Sequence, residues 1–547
     1  MIRLAMVVLF LILNFALQLE NALAATLNLP STSLQDGPAL LAGQASNSTA
    51  LNAFGISPVS IAADGTYYVT LQAGQISFRA ALDTGSADFW LDSTACTTST
   101  CTSVPRYPLT YDSPTFVSIN NNETTFTVSY ADGTGASGFV ARETVDVANV
   151  TVANQAFGVV TNSNITLVSE VSGILGLGFS RQSEISTRAA NGPRRFFSTL
   201  AQQGILDYPV FGLSLTRNDT GTFTLGAIDV SVVQNLSQVI WNEVVSFSPV
   251  GTQTNTSGYF FWAIRMSSFA VNGTQYTPQP TYPGPSDNSS IALLDVTRLY
   301  SSFPSSRLVD ESGQWAIPCD SSATMSFNFG EGTSFVLEPT DYIIGPAEGN
   351  PDLCLSWPKA SPPSADGVDW LLGTPFLRTV YSIWSYGIDY QEPPMIGLYP
   401  RNNASAPVQP FSVVESSFSS ESATIATTLP NFVLSTPTYT TPSYAFNTSV
   451  PAVYGEIVQS ELATSTYSPL IGTLAVNATA LPQVSGAYTL LVTNSNGAVV
   501  TSTYHISQPS VTLGVPPGWS SAASRSVPGG GLAISMMIAL VAGTWIL

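Results

Sequence analysis

The stretch Phe78–Leu91 reads FRAALDTGSADFWL. An apolar run interrupted only by Arg79 delivers Asp83 into Thr84-Gly85-Ser86, and the chain turns apolar again at Phe89-Trp90-Leu91. Burial beside apolar residues perturbs a carboxylate, and the hydroxyls of Thr84 and Ser86 can hydrogen-bond around it. Gly85 lets backbone approach closely. As a bare tripeptide, Asp-Thr-Gly also makes an ordinary Asx-type turn, so the motif takes its meaning from its surroundings.

Those surroundings are β-rich. From about residue 60 to 400, short apolar or β-branched runs alternate with Gly, Asn, Asp and Pro, as in YYVTLQAGQISFRAAL, FTVSYADGTGASGFVARETVDV and QAFGVVT. Such punctuation predicts mostly antiparallel strand. The length, 547 residues, leaves ample chain for a large core.

Composition narrows the chemistry. The chain has 35 acidic residues against 16 basic ones, a formal charge of −19, and only 9 % charged residues. Lys359 is the single lysine. A protein this acidic has no electrostatic footprint for nucleic acid. One histidine, His505, excludes a zinc site built from several histidines and would have to carry any Ser-His-Asp mechanism alone. Carboxylates remain.

The two ends point to the secretory route. Residues 1–24 carry Arg3, an apolar run and Ala22-Leu23-Ala24, the pattern of a cleaved signal peptide. Residues 25–59 form a short pro-like segment. At the other end, Ser520-Ser521-Ala522, a short polar spacer and the apolar tail GLAISMMIALVAGTWIL match a GPI-attachment signal over 522–547. The expected location is the cell surface, tethered to plasma membrane or cell wall. Twelve Asn-x-Ser/Thr sequons agree: Asn47, Asn122, Asn149, Asn164, Asn218, Asn235, Asn255, Asn272, Asn288, Asn403, Asn447 and Asn477. Between 401 and 521 the charged residues are few and Ser, Thr and Pro dominate, which reads as an O-glycosylated stalk. The stretch AVYGEIVQSELATSTYSPLIGTLAV is more apolar and is expected to form a few strands.

Four cysteines allow three pairings. Cys96 and Cys101 enclose a short loop, whereas Cys319 and Cys354 lie in the second half. Two local bridges are the simplest arrangement in an oxidising compartment.

Several ordered motifs across residues 60–400 resemble the pepsin-like aspartic proteases, in a fungal-type GPI-anchored form. DGTYYVTLQAGQISFRAALDTGSADFWL resembles the opening strands and first catalytic loop of that family. VSYADGTGASGFV resembles its flap, with Tyr130 as the flap tyrosine and Asp132, Gly133 and Thr134 at the tip. GILGLGF, Gly173 to Phe179, resembles the element that closes the ψ-shaped loop, and WLLGTPFLRTVYSIWSYGIDYQEPPMIGLYP resembles the end of the second lobe. The cysteine spacings match the family's two usual bridges.

The resemblance implies an all-β, bilobal acid-protease fold with a central cleft. The lobes are expected at 60–240 and 241–400. It further implies a monomer acting on peptide or protein without metal or cofactor. One aspartate from each lobe would hold a water between them; two carboxylates so close cannot both ionise easily, so they share one proton. Asp83 is the first, supported by Thr84, Gly85 and Ser86; Asp295, after Ile291-Ala292-Leu293-Leu294, stands where the second is expected. Val296 and Thr297 follow it in place of a hydroxyl residue and glycine. The run DVTRLYSSFPSSRLV also resembles the helical segment that follows a catalytic loop, which would make Asp295 a chance substitute for a deleted one. Function therefore reads as an acid-acting aspartic endopeptidase, or as a catalytically impaired relative whose cleft binds peptide or cell-wall material. From Ala25 to Phe78 no basic residue is present to neutralise a dyad, and Arg194-Arg195 is a solvated surface pair or a processing site.

Overall fold

The structure, a computed structural model, describes residues 53–519 except 131, 180–181, 189–195, 203, 218–219, 246–258, 279–291, 312, 331–332, 361–367, 389–390, 422–424, 436–466, 472–479 and 494–498. The signal peptide, most of the pro-like segment, Arg194-Arg195, the attachment signal and the sequons at Asn47, Asn218, Asn255, Asn288, Asn447 and Asn477 lie outside the described residues.

The first half is built from alternating strands. β1 (Gly55–Ile61), β2 (Tyr67–Ala73) and β3 (Ile76–Asp83) run as an antiparallel meander. The β2–β3 turn is Gly74-Gln75 with φ of 57° and 71°, the left-handed pair that matches the twist of a two-residue hairpin. β4 (Phe89–Asp92), β5 (Thr125–Ser129), β6 (Gly135–Val147) and β7 (Val150–Ser163) follow, then β8 (Val171–Gly176). β8 lies parallel to β3 and antiparallel to β4, threading between two strands that are neighbours in sequence. That crossing is the ψ-shaped loop on which the site is built.

Strands β9 (Val210–Ser214), β10 (Gly221–Leu225), β11 (Ile228–Asp229) and β12 (Ile240–Glu243) lead out of the first half, and β13 (Val380–Ser385) and β14 (Met395–Pro400) return from the second. A fourteen-stranded sheet runs β12-β14-β13-β9-β10-β1-β2-β3-β8-β4-β7-β6, with Val117–Ser118 at its end and β5 paired to β6. The end of the chain's second half is thus hydrogen-bonded into the sheet of the first. Residues between them form a four-stranded sheet, which uses Met266–Val271 and Met325–Phe329, and four strands of a five-stranded one, Trp315–Pro318 and Asn350–Ser356 among them, whose fifth strand is Ile425–Thr428 from beyond β14. The all-β expectation is met. One continuous apolar cluster joins Phe78, Phe89, Leu91 and Phe157 to Phe269, Phe327 and Phe376. Both expected disulfides are formed, Cys96–Cys101 and Cys319–Cys354. The six described sequon asparagines, Asn122, Asn149, Asn164, Asn235, Asn272 and Asn403, are all exposed.

Composition gave residues 401–521 the look of a glycosylated stalk, yet several of their described segments lie against the body. Val414 of the helix Phe411–Glu421 is fully buried. Ile471 and Leu481 enter a cluster with Tyr208, Val210, Ile228 and Tyr381. β15 (Gln483–Val484) pairs in parallel with β11, and Gly486 N–H donates to the buried Asp229 carboxylate at 3.0 Å. Further on, Gln508 accepts from Thr70 Oγ1 at 2.8 Å and donates to Pro58 O at 2.9 Å, Gly514 N–H donates to Ser77 O, and Trp519 meets Tyr111 edge to face. A few apolar anchors suffice because the body supplies partners for the backbone between them.

Candidate active site

Asp83 ends β3, and its position follows from the threading of β8. Leu177 N–H donates to Asp83 O at 2.7 Å, Gly178 N–H to Ser86 O at 2.7 Å and Gly176 N–H to Asp88 O at 3.1 Å. Three successive residues of the closing element thus fasten the loop 83–88 from one side. The approach is tight: a Cβ on Gly176 would lie 2.5 Å from Ala87 C and from Asp88 N. Glycine is required there by space. Within the loop, Asp83 Oδ1 accepts from Gly85 N–H at 2.8 Å, and the carboxylate is half-buried. Thr84 and Ser86 follow it in the loop.

The hairpin of β5 and β6 carries the flap residues. Gly133, with φ of 83°, takes the left-handed conformation at the tip. Asp132 Oδ1 accepts from Thr134 N–H at 2.9 Å and from Thr134 Oγ1 at 2.7 Å, and Tyr130 N–H donates to Thr134 O. The side chain of Tyr130 turns inward, where its Oη accepts from Trp90 Nε1 at 2.9 Å. Burial pushes the Tyr130 phenol up, with the Asp83 and Asp88 charges adding to the effect. It is therefore a neutral donor and acceptor at any ordinary pH. Trp90 follows Asp83-Thr84-Gly85-Ser86 by a few residues, so the hairpin is tied to the same β3–β4 segment that carries Asp83.

Sequence reading gave no role to Asp88. Its carboxylate is buried, accepts from Ser183 Oγ at 2.5 Å and from Glu184 N–H at 2.8 Å, and so holds the start of α1 (Glu184–Arg188). Burial pushes it up to about 6 in spite of these donors. Ile185 of α1 packs in the cluster that contains Trp90, Phe126 and Tyr130. The signal available in sequence was an ionisable residue between Ala87 and Phe89, inside an apolar run.

Among the described residues, the second half does not repeat the first. The strand expected before Asp295 is a helix, α2 (Ala292–Tyr300), and Asp295 stands inside it. The reason is periodicity: Val296, Leu299, Tyr300 and Phe303 are all buried, the spacing of one helix face rather than of a strand. The run Leu371-Leu372-Gly373 parallels Ile174-Leu175-Gly176 of β8, but the described residues of 368–373 form no strand: Leu371 is 93 % exposed where Ile174 is half-buried, and Leu372 is half-buried where Leu175 is fully buried. Among the described residues, the ψ-shaped loop exists once.

One group of metal-ligating residue types converges among the described residues, Asp92 with Cys96 and Cys101. The two sulfurs are bonded to each other, so neither offers a thiolate.

Comparison with known proteins agrees with this geometry. The family model described as eukaryotic aspartyl protease matches residues 66–391. An aspartic protease of Phaffia rhodozyma is 27 % identical over 324 residues, 57 % of this chain and 72 % of the relative. Major aspartyl peptidase 1 of Cryptococcus neoformans var. grubii is 26 % identical over 60 % of this chain and 68 % of its own length. Dog renin is 29 % identical over 58 % of this chain and 76 % of its own.

Proposed function

The chain belongs to the eukaryotic aspartyl protease family, and on that premise we propose that it is a secreted or cell-surface aspartic endopeptidase acting on peptide or protein at acidic pH. The observation that carries this reading is the complete first-lobe loop: Asp83 at the end of β3, fastened by Leu177 and Gly178, with Tyr130 held beside it by Trp90. In the reaction an ionised carboxylate takes a proton from water as the water oxygen bonds to the scissile carbonyl carbon. A protonated partner carboxyl donates to the carbonyl oxygen. Collapse of the tetrahedral intermediate breaks the C–N bond, and the amine leaves with a proton. Asp83 is assigned to this pair. Asp132, Gly133 and Thr134 shape the flap tip that closes over substrate. No metal or cofactor is needed by this chemistry. The N-terminal pattern, the two disulfides and the exposed sequons support passage through the secretory pathway with N-linked glycans, and the C-terminal pattern supports a GPI anchor.

A second reading rests on one specific observation, the placement of Asp295 within α2. A cleft with one catalytic carboxylate would bind an extended peptide without cutting it. The test is peptide hydrolysis by the purified protein across pH 3–7, with Asp83→Asn and Asp295→Asn alongside. Acid-dependent cleavage lost in Asp83→Asn supports the endopeptidase, and loss in Asp295→Asn as well would make Asp295 the second acid. Cleavage unchanged in Asp83→Asn removes the aspartic mechanism. Absence of cleavage, with retained binding of a statine-type peptide, favours the binding cleft.

A further inference from the structure

The peptide group joining Leu177 to Gly178 is held at both ends. Its N–H, on Gly178, donates to Ser86 O at 2.7 Å, and the preceding N–H, on Leu177, donates to Asp83 O. Its carbonyl, Leu177 O, accepts two hydrogen bonds from distant parts of the chain, Tyr386 Oη at 2.6 Å and Trp262 Nε1 at 2.9 Å. Neither donor belongs to the first lobe. Trp262 precedes the strand Met266–Val271 of the four-stranded sheet, and Tyr386 follows β13. Next along the chain, the Phe179 ring packs on Trp262 with centroids 4.3 Å apart and meets Tyr386 edge to face at 5.7 Å.

Burial alone would require each of these polar tips to find an acceptor. It would not require both to choose one carbonyl, nor the carbonyl of the peptide whose N–H holds the catalytic loop. A carbonyl that accepts two hydrogen bonds polarises its own amide and makes its N–H a stronger donor. A shift of this peptide also moves Ser86 and Asp83 directly, because Gly178 leaves no slack: a Cβ there would lie 2.8 Å from Ser86 O.

We propose that Tyr386 and Trp262 are positioning residues for Asp83, through which the second half of the chain sets the orientation of the first-lobe catalytic loop. The inference rests on the assignment of Asp83 made above. It gives the second half a part in the site that does not depend on Asp295.

Tyr386→Phe and Trp262→Phe each remove one donor while keeping a ring in the aromatic cluster. Hydrogen exchange followed by mass spectrometry, on the full chain, reads the amides of residues 174–179 and 83–90. Each variant is expected to speed exchange at Leu177 and Gly178 by about tenfold, the value of one buried hydrogen bond, with strands β1 and β10 unchanged; the double variant should exceed either. In an acid peptidase assay kcat should fall with KM held. Unchanged exchange at 176–178 in both variants would overturn the proposal. So would a uniform rise across the molecule, which would mark general destabilisation, or altered exchange with wild-type kcat. If the wild-type chain cuts no peptide, the endopeptidase reading fails, and the exchange result still decides whether the clamp holds the loop.

Discussion

Acid should fasten the C-terminal segment to the body, and near-neutral pH should loosen it. Glu392 is fully buried and accepts hydrogen bonds from Tyr208 Oη, from Ser385 Oγ at 2.9 Å, and from the backbone N–H groups of Leu470 and Ile471 at 3.3 Å each. The last two belong to the segment that closes over it. Burial outweighs these donors and pushes the carboxyl up to about 7, from an ordinary 4.5. Nearby, burial pushes the phenols of Tyr208 and Tyr467 up, so both stay neutral, and it raises Asp207 as well. A raised carboxyl holds its proton more tightly when the segment is docked. The docked state is therefore fully supported below about pH 4.5, and that support is lost as pH rises through about 7. At about 1.4 kcal/mol per pH unit, the span corresponds to roughly 3 kcal/mol, or roughly two orders of magnitude in the opening equilibrium. Hydrogen exchange at residues 467–471, corrected for intrinsic rates and compared between pH 4.5 and 7.5, measures it. Glu392→Gln, uncharged and of the same shape, should flatten the dependence. Protection that is constant or rises with pH, or a Gln variant with the wild-type slope, would refute the reasoning.

Other consequences are more local. Gly176→Ala should force the 83–88 loop away from β8 and cost about 1–3 kcal/mol, read from thermal melts together with lost peptidase activity. Asp88→Ala orphans Ser183 Oγ and the first N–H groups of α1, and should lower stability in urea by about 1–3 kcal/mol. Phosphatidylinositol-specific phospholipase should release the protein from membranes; retention with the apolar tail still detectable by mass spectrometry would remove the anchor.

Local pattern made much of this molecule legible. Alternating runs and turn residues marked β2, β3 and β5 to β7, whereas β1 begins inside the segment read as pro-like; Asp83-Thr84-Gly85-Ser86 stands where its strand ends. Tyr130 and the tip residues lie on the expected hairpin, and the cysteines pair within their halves. The misses share a cause. The helix at Asp295 agrees with the likeness of DVTRLYSSFPSSRLV to a helical segment, whereas a strand ahead of Asp295 was read from the apolar residues before it; which of Val296, Leu299, Tyr300 and Phe303 find a core is a tertiary question. The docking of Leu470, Ile471, Gly486 and Gly514 escaped a compositional reading because their partners, Glu392, Asp229 and Ser77, are distant in sequence. Asp88, Trp262 and Tyr386 escaped for the same reason: Asp88 bonds to Ser183 and the start of α1, and Trp262 and Tyr386 bond to Leu177 O, pairings that no local spacing encodes.

The two halves differ most where a symmetric fold would make them alike. In the first, Ile174 is half-buried and Leu175 fully buried because β3 and β4 flank the closing element. In the second, Trp370 packs inward against Phe269 and Phe327, while Leu371 beside it is 93 % exposed. Covering a leucine is worth about 1.5–3 kcal/mol. A strand in the place that β3 occupies would supply that cover and would carry an aspartate at its end. The exposed leucine and the helical Asp295 are thus two signs of one difference, a second lobe that keeps its frame but not its catalytic strand among the described residues. The frame still reaches the first-lobe loop through Trp262 and Tyr386, so Asp83 can be held in place by a half of the molecule that presents no matching loop among its described residues.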